Sequence, residues 1–410
     1  MDEDLKKFLL FFGVHEEISD TRLLLIINGH VQNPRKAQKK FNILISKNKI
    51  IGKSTELPDK IPDTVKIIDA KDKIITPGLI DQHIHGGYGC DFNVSSVEKM
   101  VDLAKKLPEH GITSIVPTVM TASEDIIKTQ IAKVVEAKNI KPDNAVKFLG
   151  IHLEGPFICP KYKGIHPEHE IKNPSIENFK RIENENIKIV TYSPELDKDL
   201  KLTKYLAEKN IIPSAGHTNA TLELIQKANK LGLKQVTHLF NAMTSLHHRN
   251  PGIVGEALIN DNMYVEVIAD GLHLHPAIVD LILRVKPDSK IILVSDSLPL
   301  NKAKQDSVIF GGQQIFRKEG KAVNTDGTFA GSLVFLDTVL KNLLQWKFTD
   351  LSGFLKYASL NVAQNLGIPD SGFIDIGKTA DIVIWNKRGN TYDVDTTIIN
   401  GQIAFSRTRN

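Results

Sequence analysis

The feature that most constrains the fold is a series of short apolar runs separated by amphipathic stretches. The runs are Ile74–Asp81, Thr113–Pro117, Phe148–His152, Ile187–Thr191, Ile211–Ser214, Gln235–His238, Tyr264–Ile268 and Ile291–Ser295. Nearly continuous apolar runs are typical of strands buried on both faces of a parallel sheet. Eight such strands, each followed by a helix, predict an α/β fold in the form of a closed (β/α)8 TIM barrel. A doubly wound open sheet is the alternative, but no GxGxxG motif follows any run, which disfavours a dinucleotide-binding version.

Helix starts can be located from capping residues. Ser95 with Glu98 predicts a capping box for the helix after the first run. Ser123 predicts the start of a helix whose apolar face includes Ile127 and Ile131. Both patterns place helices between strands, as the barrel requires.

The two ends of the chain show shorter strand patterns than the middle. Leu24–Ile27 and Phe41–Ile45 near the start resemble Ala380–Trp385 and Thr396–Gly401 near the end. We therefore predict a small β-sandwich domain that is formed from both chain ends. The predicted division is an N-terminal extension at 1–20, the β domain at 21–76 and 379–410, and the barrel at 77–378. Phe8–Phe12 is predicted to be a helical appendage or a packing strand.

Composition excludes several classes of function. The 410-residue chain has a formal net charge of only +4, and its one dense basic stretch, Pro34–Lys40, is short, so nucleic-acid binding is not expected. No segment is long and apolar enough to predict a membrane span. The two cysteines, Cys90 and Cys159, lack CxxC spacing, which fits a reducing compartment. We expect a cytoplasmic protein.

Polar residues whose side chains could bind a metal or act in catalysis follow the predicted strands. Because the carboxyl ends of barrel strands converge on one face, we expect these side chains to lie together. Histidine and carboxylate ligands suit a catalytic Zn²⁺ or Fe²⁺ site. A single histidine is more often structural, and Asp296 alone could cap a helix, but the combination on successive strand ends favours a metal site. The residues are His83, His85, Glu154, His217, His238, His273 and Asp296.

Several motifs resemble those of one known family. Asp81–Gly87, with its His-x-His pattern, resembles the first metal motif of the amidohydrolase superfamily. The remaining motifs resemble, in order, those of the N-acetylglucosamine-6-phosphate deacetylases. They are His152–Phe157, Ala215–Ala220, Thr237–Met243, His247–Gly252, Asp270–His273, Asp326–Ser332 and Ser359–Asn361.

The resemblance implies a reaction and a set of residue roles. The family hydrolyses N-acetylglucosamine 6-phosphate to glucosamine 6-phosphate and acetate. Glu154, His217 and His238 should hold the main metal. In some family members two histidines bind a second metal and share the glutamate with the first, so His83 and His85 imply a second ion with Asp296 close to it, and one or two divalent ions are expected. Asp296 should act as general base and then acid, and His273 should help to stabilise the oxyanion.

The resemblance also implies a sugar-binding surface and a phosphate ligand. Arg249 is the implied phosphate ligand, and in family dimers a neighbouring subunit can complete this site, so a homodimer is expected. The implied substrate-binding residues are Ile165, His166, Asn241, Ala242, Arg249, Asp270, Gly271, Leu272, His273, Phe329, Ala330 and Gly331.

Two other functions stay open from the sequence. Another metal-dependent amidohydrolase, such as a cyclic-amide hydrolase or a deaminase, is the nearer one. Cyclic-amide hydrolases usually bridge two metals with a carboxylated lysine, and the fourth run offers only Lys188 for this. A non-catalytic barrel scaffold is the second, but no expected ligand is missing.

Overall fold

The strands form two kinds of sheet, one parallel and closed and the others mainly antiparallel. The computed structural model describes residues 3–15, 22–142 and 144–407. The strands in these ranges are β1 (Leu23–Ile27), β2 (His30–Val31), β3 (Lys39–Lys40), β4 (Asn42–Ser46), β5 (Lys49–Ser54), β6 (Val65–Asp69), β7 (Ile74–Pro77), β8 (Leu79–Ile84), β9 (Gly86–Gly87), β10 (Cys90–Asp91), β11 (Ile112–Met120), β12 (Lys147–Phe148), β13 (Ile151–Glu154), β14 (Ile187–Tyr192), β15 (Ile212–Ala215), β16 (Gln235–Val236), β17 (Tyr264–Val267), β18 (Ile291–Leu293), β19 (Ser307–Phe310), β20 (Gln313–Lys318), β21 (Lys321–Val323), β22 (Phe329–Gly331), β23 (Ile382–Arg388), β24 (Thr391–Ile399) and β25 (Gln402–Ser406).

The predicted runs assemble into a parallel barrel. Its strand order is β8-β11-β13-β14-β15-β16-β17-β18, with β12 as a short extra pairing on β11. The ring closes where the chain leaving β18 returns to β8. There a parallel bridge joins Ile84 and Ser297, and the Asp296 amide donates to the His83 carbonyl at 2.9 Å. The TIM-barrel prediction is confirmed.

One predicted strand is divided between the two parts of the fold. The run Ile74–Asp81 is predicted as one strand, and this is wrong, although the predicted domain boundary after residue 76 falls inside the run. β7 pairs with β2 and β23 outside the barrel, while β8 pairs with β11 inside it. Gly78 joins them, and a Cβ added there would lie 2.2 Å from the Thr113 hydroxyl oxygen, so the close approach requires glycine.

Strands from both chain ends form the predicted β-sandwich. One sheet has the order β5-β4-β1-β6, and the other has the order β25-β24-β23-β7-β2-β3. Apolar side chains such as Ile26, Ile45 and Ile382 fill the core between them. On the other face of the first sheet, Phe8 packs in a separate apolar cluster, so the helical interpretation of this segment is confirmed. Residues 1, 2 and 16–20 of the predicted extension, and 21 and 408–410 of the predicted β domain, lie outside the described residues.

The helices lie mainly between the barrel strands. Ser123 accepts a hydrogen bond from the Ile126 amide, as predicted. The capping box of Ser95 with Glu98 is wrong, because Ser96 caps the helix through the Lys99 amide. Among the described residues, no helix has the length and apolar character to cross a membrane. The helices are α1 (Glu3–Phe11), α2 (Val97–Lys106), α3 (Glu124–Ile140), α4 (Ile176–Lys180), α5 (Lys201–Glu208), α6 (Leu222–Lys230), α7 (Gly252–Ile259), α8 (Pro276–Val285), α9 (Leu336–Trp346), α10 (Leu351–Leu355) and α11 (Asn361–Leu366).

Candidate metal centre and active site

The ligand candidates from five separate strands meet at the carboxyl end of the barrel. Three of these candidates have an unusual backbone conformation. His217, His238 and Asp296 have φ values of 48°, 31° and 50°, in the left-handed region that non-glycine residues rarely adopt. Such conformations cost on the order of 1–3 kcal/mol each and concentrate at functional sites. Three of the predicted metal ligands therefore have a strained backbone.

The first group of ligand candidates is centred on one oxygen of Glu154. Its Oε1 lies 2.9 Å from His238 Nε2 and 3.2 Å from His217 Nε2. The two Nε2 atoms are 3.1 Å apart. The His217 Nδ1 donates to the Tyr162 carbonyl at 2.8 Å, which leaves the Nε2 lone pair directed at this group.

The second group lies beside the other oxygen of Glu154. His85 Nε2 is 3.2 Å from Glu154 Oε2 and 3.2 Å from Asp296 Oδ1. His83 Nε2 is 3.3 Å from His85 Nε2 and 3.5 Å from Asp296 Oδ1. Glu154 therefore lies between the two groups. Its Oε1 faces His217 and His238 and also lies 3.5 Å from His83 Nε2, and its Oε2 faces His85.

The spacing of the donor atoms fits divalent metal ions. Zinc bonds to nitrogen and oxygen are about 2.0–2.2 Å long, so tetrahedral ligand atoms lie roughly 3.3 Å from one another. The distances within each group run from 2.9 to 3.5 Å. His83, His85 and Asp296 are all buried and have ligand atoms close enough to share one ion. The donor set and its spacing fit one ion in each group.

Two further histidines lie beside these groups, and each has a ligand atom close enough to share an ion: His166 with Glu154 and His217, and His152 with His83 and Glu266. His166 Nε2 is 3.4 Å from Glu154 Oε2, and its Nδ1 is 2.7 Å from the Thr121 hydroxyl. His152 lies behind His83 and uses its Nε2 on the Thr191 hydroxyl at 2.7 Å. Burial lowers the pKa of His166 to about 4 and that of His152 to about 3, so both rings are neutral at pH 7.

The electrostatics of the centre keep its carboxylates ionised. Burial disfavours charge on Glu154, but His83 and hydrogen bonds from the adjacent imidazoles hold its pKa well below the usual range. Burial also opposes ionisation of Asp296, but the hydrogen bond from His85 and the charges of His83 and His85 together outweigh it, so the pKa of Asp296 is lowered as well. Two buried anions facing several imidazole nitrogens form a site that attracts a cation.

A cavity of about 330 Å³ opens above the ligand groups. This volume is within the ~300–1,000 Å³ of pockets for small molecules. Most of the site residues that were predicted from the resemblance line this cavity. Those that line it are His85, Glu154, Ile165, His166, His217, His238, Asn241, Ala242, His273, Asp296, Phe329, Ala330 and Gly331.

Other predicted residues lie beside the cavity or away from it. Asp270 Oδ2 lies 2.7 Å from His273 Nδ1. Leu272, which follows Gly271, is 41% exposed. Arg249 lies on the exposed segment 245–250 and does not line the cavity of its own chain. Lys188 is exposed on β14 and points away from the centre, so it cannot bridge metals there.

Sequence analysis missed six residues that line the cavity. Met120 follows the same signal as the others, since it ends β11 at the carboxyl face. Phe310 and Thr328 come from the β19–β22 region, which shows no barrel periodicity. The resemblance assigned Phe329–Gly331 of this region to the site, but no local pattern indicated Phe310. The six residues are Met120, Lys161, Tyr162, Gly164, Phe310 and Thr328.

Comparison with known proteins supports a common origin of fold and site. The sequence profile of the amidohydrolase family matches residues 74–404, which include the whole barrel and every ligand candidate. The chain belongs to the amidohydrolase family. An N-acetylglucosamine-6-phosphate deacetylase of Bacillus subtilis is 37% identical over 388 residues, 93% of this chain and 97% of that protein. Within the amidohydrolases, the chain thus belongs with the N-acetylglucosamine-6-phosphate deacetylases.

Two solved structures of this group share the architecture. The N-acetylglucosamine-6-phosphate deacetylase of Thermotoga maritima has a TM-score of 0.82 at 30% identity, covering 93% of this chain and 99% of that one. The enzyme of Pasteurella multocida has a TM-score of 0.84 at 28% identity, with the same coverage of 93% and 99%. The amidohydrolase likeness therefore extends over the barrel and the β-sandwich.

Proposed function

We propose that the protein hydrolyses the acetamide of N-acetyl-D-glucosamine 6-phosphate to D-glucosamine 6-phosphate and acetate, as a step of amino-sugar catabolism. The observation that carries this proposal is the position of Glu154 between two histidine groups in a chain so similar to known deacetylases. A carboxylated lysine in that bridging position would favour cyclic-amide hydrolysis, and Lys188 faces away.

Glu154, His217 and His238 would hold a divalent ion, zinc or iron, which would supply Lewis acidity towards the acetamide carbonyl and water. His83, His85 and Asp296 are proposed to hold a second ion. Asp296 is ionised and faces the cavity, so it can take a proton from the attacking water. It then delivers that proton to the leaving nitrogen of the sugar.

The test of the proposed function is acetate release from matched sugars. We expect rapid release from N-acetylglucosamine 6-phosphate and much slower release from N-acetylglucosamine. Release from neither sugar contradicts the deacetylase proposal. Equal release from both keeps the amide chemistry but removes the role of the phosphate.

His273 is proposed to donate a hydrogen bond to the carbonyl oxygen as negative charge develops. Its Nδ1 lies 2.7 Å from Asp270 Oδ2, an acceptor, and therefore carries a proton. Its Nε2 can donate as well only if the ring is protonated. Burial opposes that charge, but the Asp270 contact outweighs it and raises the pKa of His273.

We predict that Asp270→Asn shifts the pH dependence of the reaction. Without the Asp270 carboxylate the pKa of His273 falls, so the ring loses its proton at a lower pH. The alkaline limb of the kcat/KM profile should therefore move to lower pH. Asp280→Asn, which removes only a pairing with Arg284 on α8, is the control and should leave the profile in place. An unmoved alkaline limb in Asp270→Asn would remove the proposed role of a protonated His273.

Arg249 is proposed to bind the substrate phosphate of a neighbouring subunit. It is exposed, it does not line its own cavity, and the adjacent Leu246 is 46% exposed. Both features suit a segment covered by a second copy of the chain, so we propose a homodimer. A phosphorylated substrate and two free cysteines fit a cytoplasmic location.

Arg249→Ala should raise KM for the phosphorylated sugar by about 10- to 100-fold with little change in kcat. A hydrogen bond to a charged group contributes about 1.5–3 kcal/mol, and it is made equally to substrate and transition state. Steady-state kinetics measure this effect, with Arg181→Ala, whose Glu177 contact lies on α4, as the control. Lys161 lines the cavity of its own chain and offers an alternative cation for the phosphate. A raised KM in Lys161→Ala but not in Arg249→Ala would contradict the proposal and favour phosphate binding in cis.

A further inference from the structure

A fully buried polar network lies inside the barrel directly beneath the metal centre. Glu266 on β17, Gln82 on β8 and Gln235 on β16 have no exposed surface, and Asn365 on α11 is 2% exposed. Barrel interiors are usually filled by branched apolar side chains. Burying four polar side chains there is costly unless each hydrogen bond is made, so the network calls for a functional reason.

Most hydrogen bonds of this network lead towards Glu266, and one joins the two glutamines, where Gln82 Nε2 lies 2.9 Å from Gln235 Oε1. Asn365 Nδ2 lies 3.1 Å from Gln82 Oε1 and 2.6 Å from Gln235 Oε1, and donates to both. Each glutamine then donates its own Nε2 to Glu266 Oε1, at 2.7 Å from Gln82 and 2.8 Å from Gln235. A group that accepts from every side must be an ionised carboxylate, since an amide in its place would direct an N–H group at another donor.

The second oxygen of Glu266 contacts the metal centre. Glu266 Oε2 lies 2.9 Å from His83 Nδ1. Because the carboxylate only accepts, the proton is on Nδ1, and the lone pair of His83 Nε2 faces His85 and Asp296.

The two ligand groups depend on Glu266 to different extents. In the first group, the Tyr162 carbonyl orients the ring of His217. The backbone amide of His238 donates only a long hydrogen bond to Glu266 Oε2, at 3.4 Å, and the His238 ring is not involved. Loss of the Glu266 carboxylate therefore affects the ring of His83 and leaves the rings of the first group in place.

We propose that Glu266 is a positioning residue that sets the tautomer and ring orientation of His83, and so determines whether the His83–His85 pair holds an ion of its own. This inference rests on the proposed metal dependence. The Gln82–Gln235–Asn365 network keeps Glu266 charged without a buried lysine or arginine, and it holds the carboxylate at the position that His83 requires. Hydrogen-bonded partners of this kind typically change metal affinity by about 10- to 100-fold.

The test compares metal binding by Glu266→Gln and Glu256→Gln in the absence of substrate. Glu256 is also a buried carboxylate, bonded by Gln226 and Asn260 among the outer helices, and is therefore a matched control. Titration of metal-free protein with Zn²⁺ should give two sites in the wild type and in Glu256→Gln. In Glu266→Gln the site of Glu154, His217 and His238 should be retained, and the affinity of the site of His83, His85 and Asp296 should fall by about 10- to 100-fold. In a His83→Ala background, Glu266→Gln should cause no further loss.

Unchanged affinities at both sites in Glu266→Gln would overturn the inference, as would equal weakening of both sites or a single site in the wild type. If Glu266→Gln does not fold, as judged by circular dichroism, Glu266→Asp replaces it. Aspartate keeps the charge but is shorter, so the second site should again weaken selectively, and unchanged affinities would again overturn the inference. The titration needs no substrate, so a failure of the deacetylase proposal would appear in the acetate assay and not here.

Discussion

Asp296→Asn should lower kcat by about 10²- to 10⁴-fold, the range that a positioned general acid–base group contributes. The asparagine amide cannot accept the proton of the attacking water or return it to the leaving amine. Asp296 Oδ1 lies 3.2 Å from His85 Nε2 and 3.5 Å from His83 Nε2, beside the cavity. Acetate release under saturating substrate measures the effect, together with metal analysis of the same sample.

The interpretation of that result depends on the metal content. The ion held by Glu154, His217 and His238 should be retained in Asp296→Asn, because Asp296 contributes to the other group. Asp395→Asn is a suitable control, since Asp395 is a buried carboxylate paired with Lys73 in the β-sandwich. Turnover close to that of the wild type in Asp296→Asn would exclude Asp296 as the proton carrier.

Glu154→Gln should have a similarly large effect for a different reason. Glu154 is placed to offer one carboxylate oxygen to each ligand group, at 2.9 Å from His238 Nε2 and 3.2 Å from His85 Nε2. An amide has one weak acceptor, and its N–H group would face imidazole ligands. We expect loss of bound metal, and a fall in kcat/KM of roughly 10³-fold or more, since a metal ion contributes several kcal/mol to transition-state stabilisation.

Metal analysis and kinetics of Glu154→Gln should change together. Excess Zn²⁺ or Fe²⁺ should restore part of the activity if the loss is one of affinity. Glu256→Gln, the buried carboxylate on α7, should keep both metal and turnover. A Glu154→Gln protein that binds metal normally and turns over normally would remove the bridging role and, with it, the proposed centre.

Much of the site could be predicted because its signals are local. The alternation of apolar runs with helical periodicity is a short-range property, and it indicated all eight barrel strands. Ligand-type residues directly after those runs converge because parallel strands end on one face. His83, Glu154, His238 and Asp296 could therefore be grouped, although more than 200 residues separate the first from the last.

Other features depend on contacts that no local pattern contains. The division of the first run at Gly78 follows from the pairing of β7 with β23, which lies some 300 residues later. Arg249 has the charge that a phosphate ligand needs, but its motif does not say which cavity it faces, and in the folded chain it does not line its own.

The order of strands and the types of ligand are thus determined by the sequence itself, because periodicity and residue identity act over a few positions. The direction of each hydrogen bond beneath the centre was decided only by the tertiary structure. Glu266 looks in the sequence like one acidic residue within an apolar strand. Its role becomes visible only when folding brings Gln82 and Gln235 to one of its oxygens and His83 to the other.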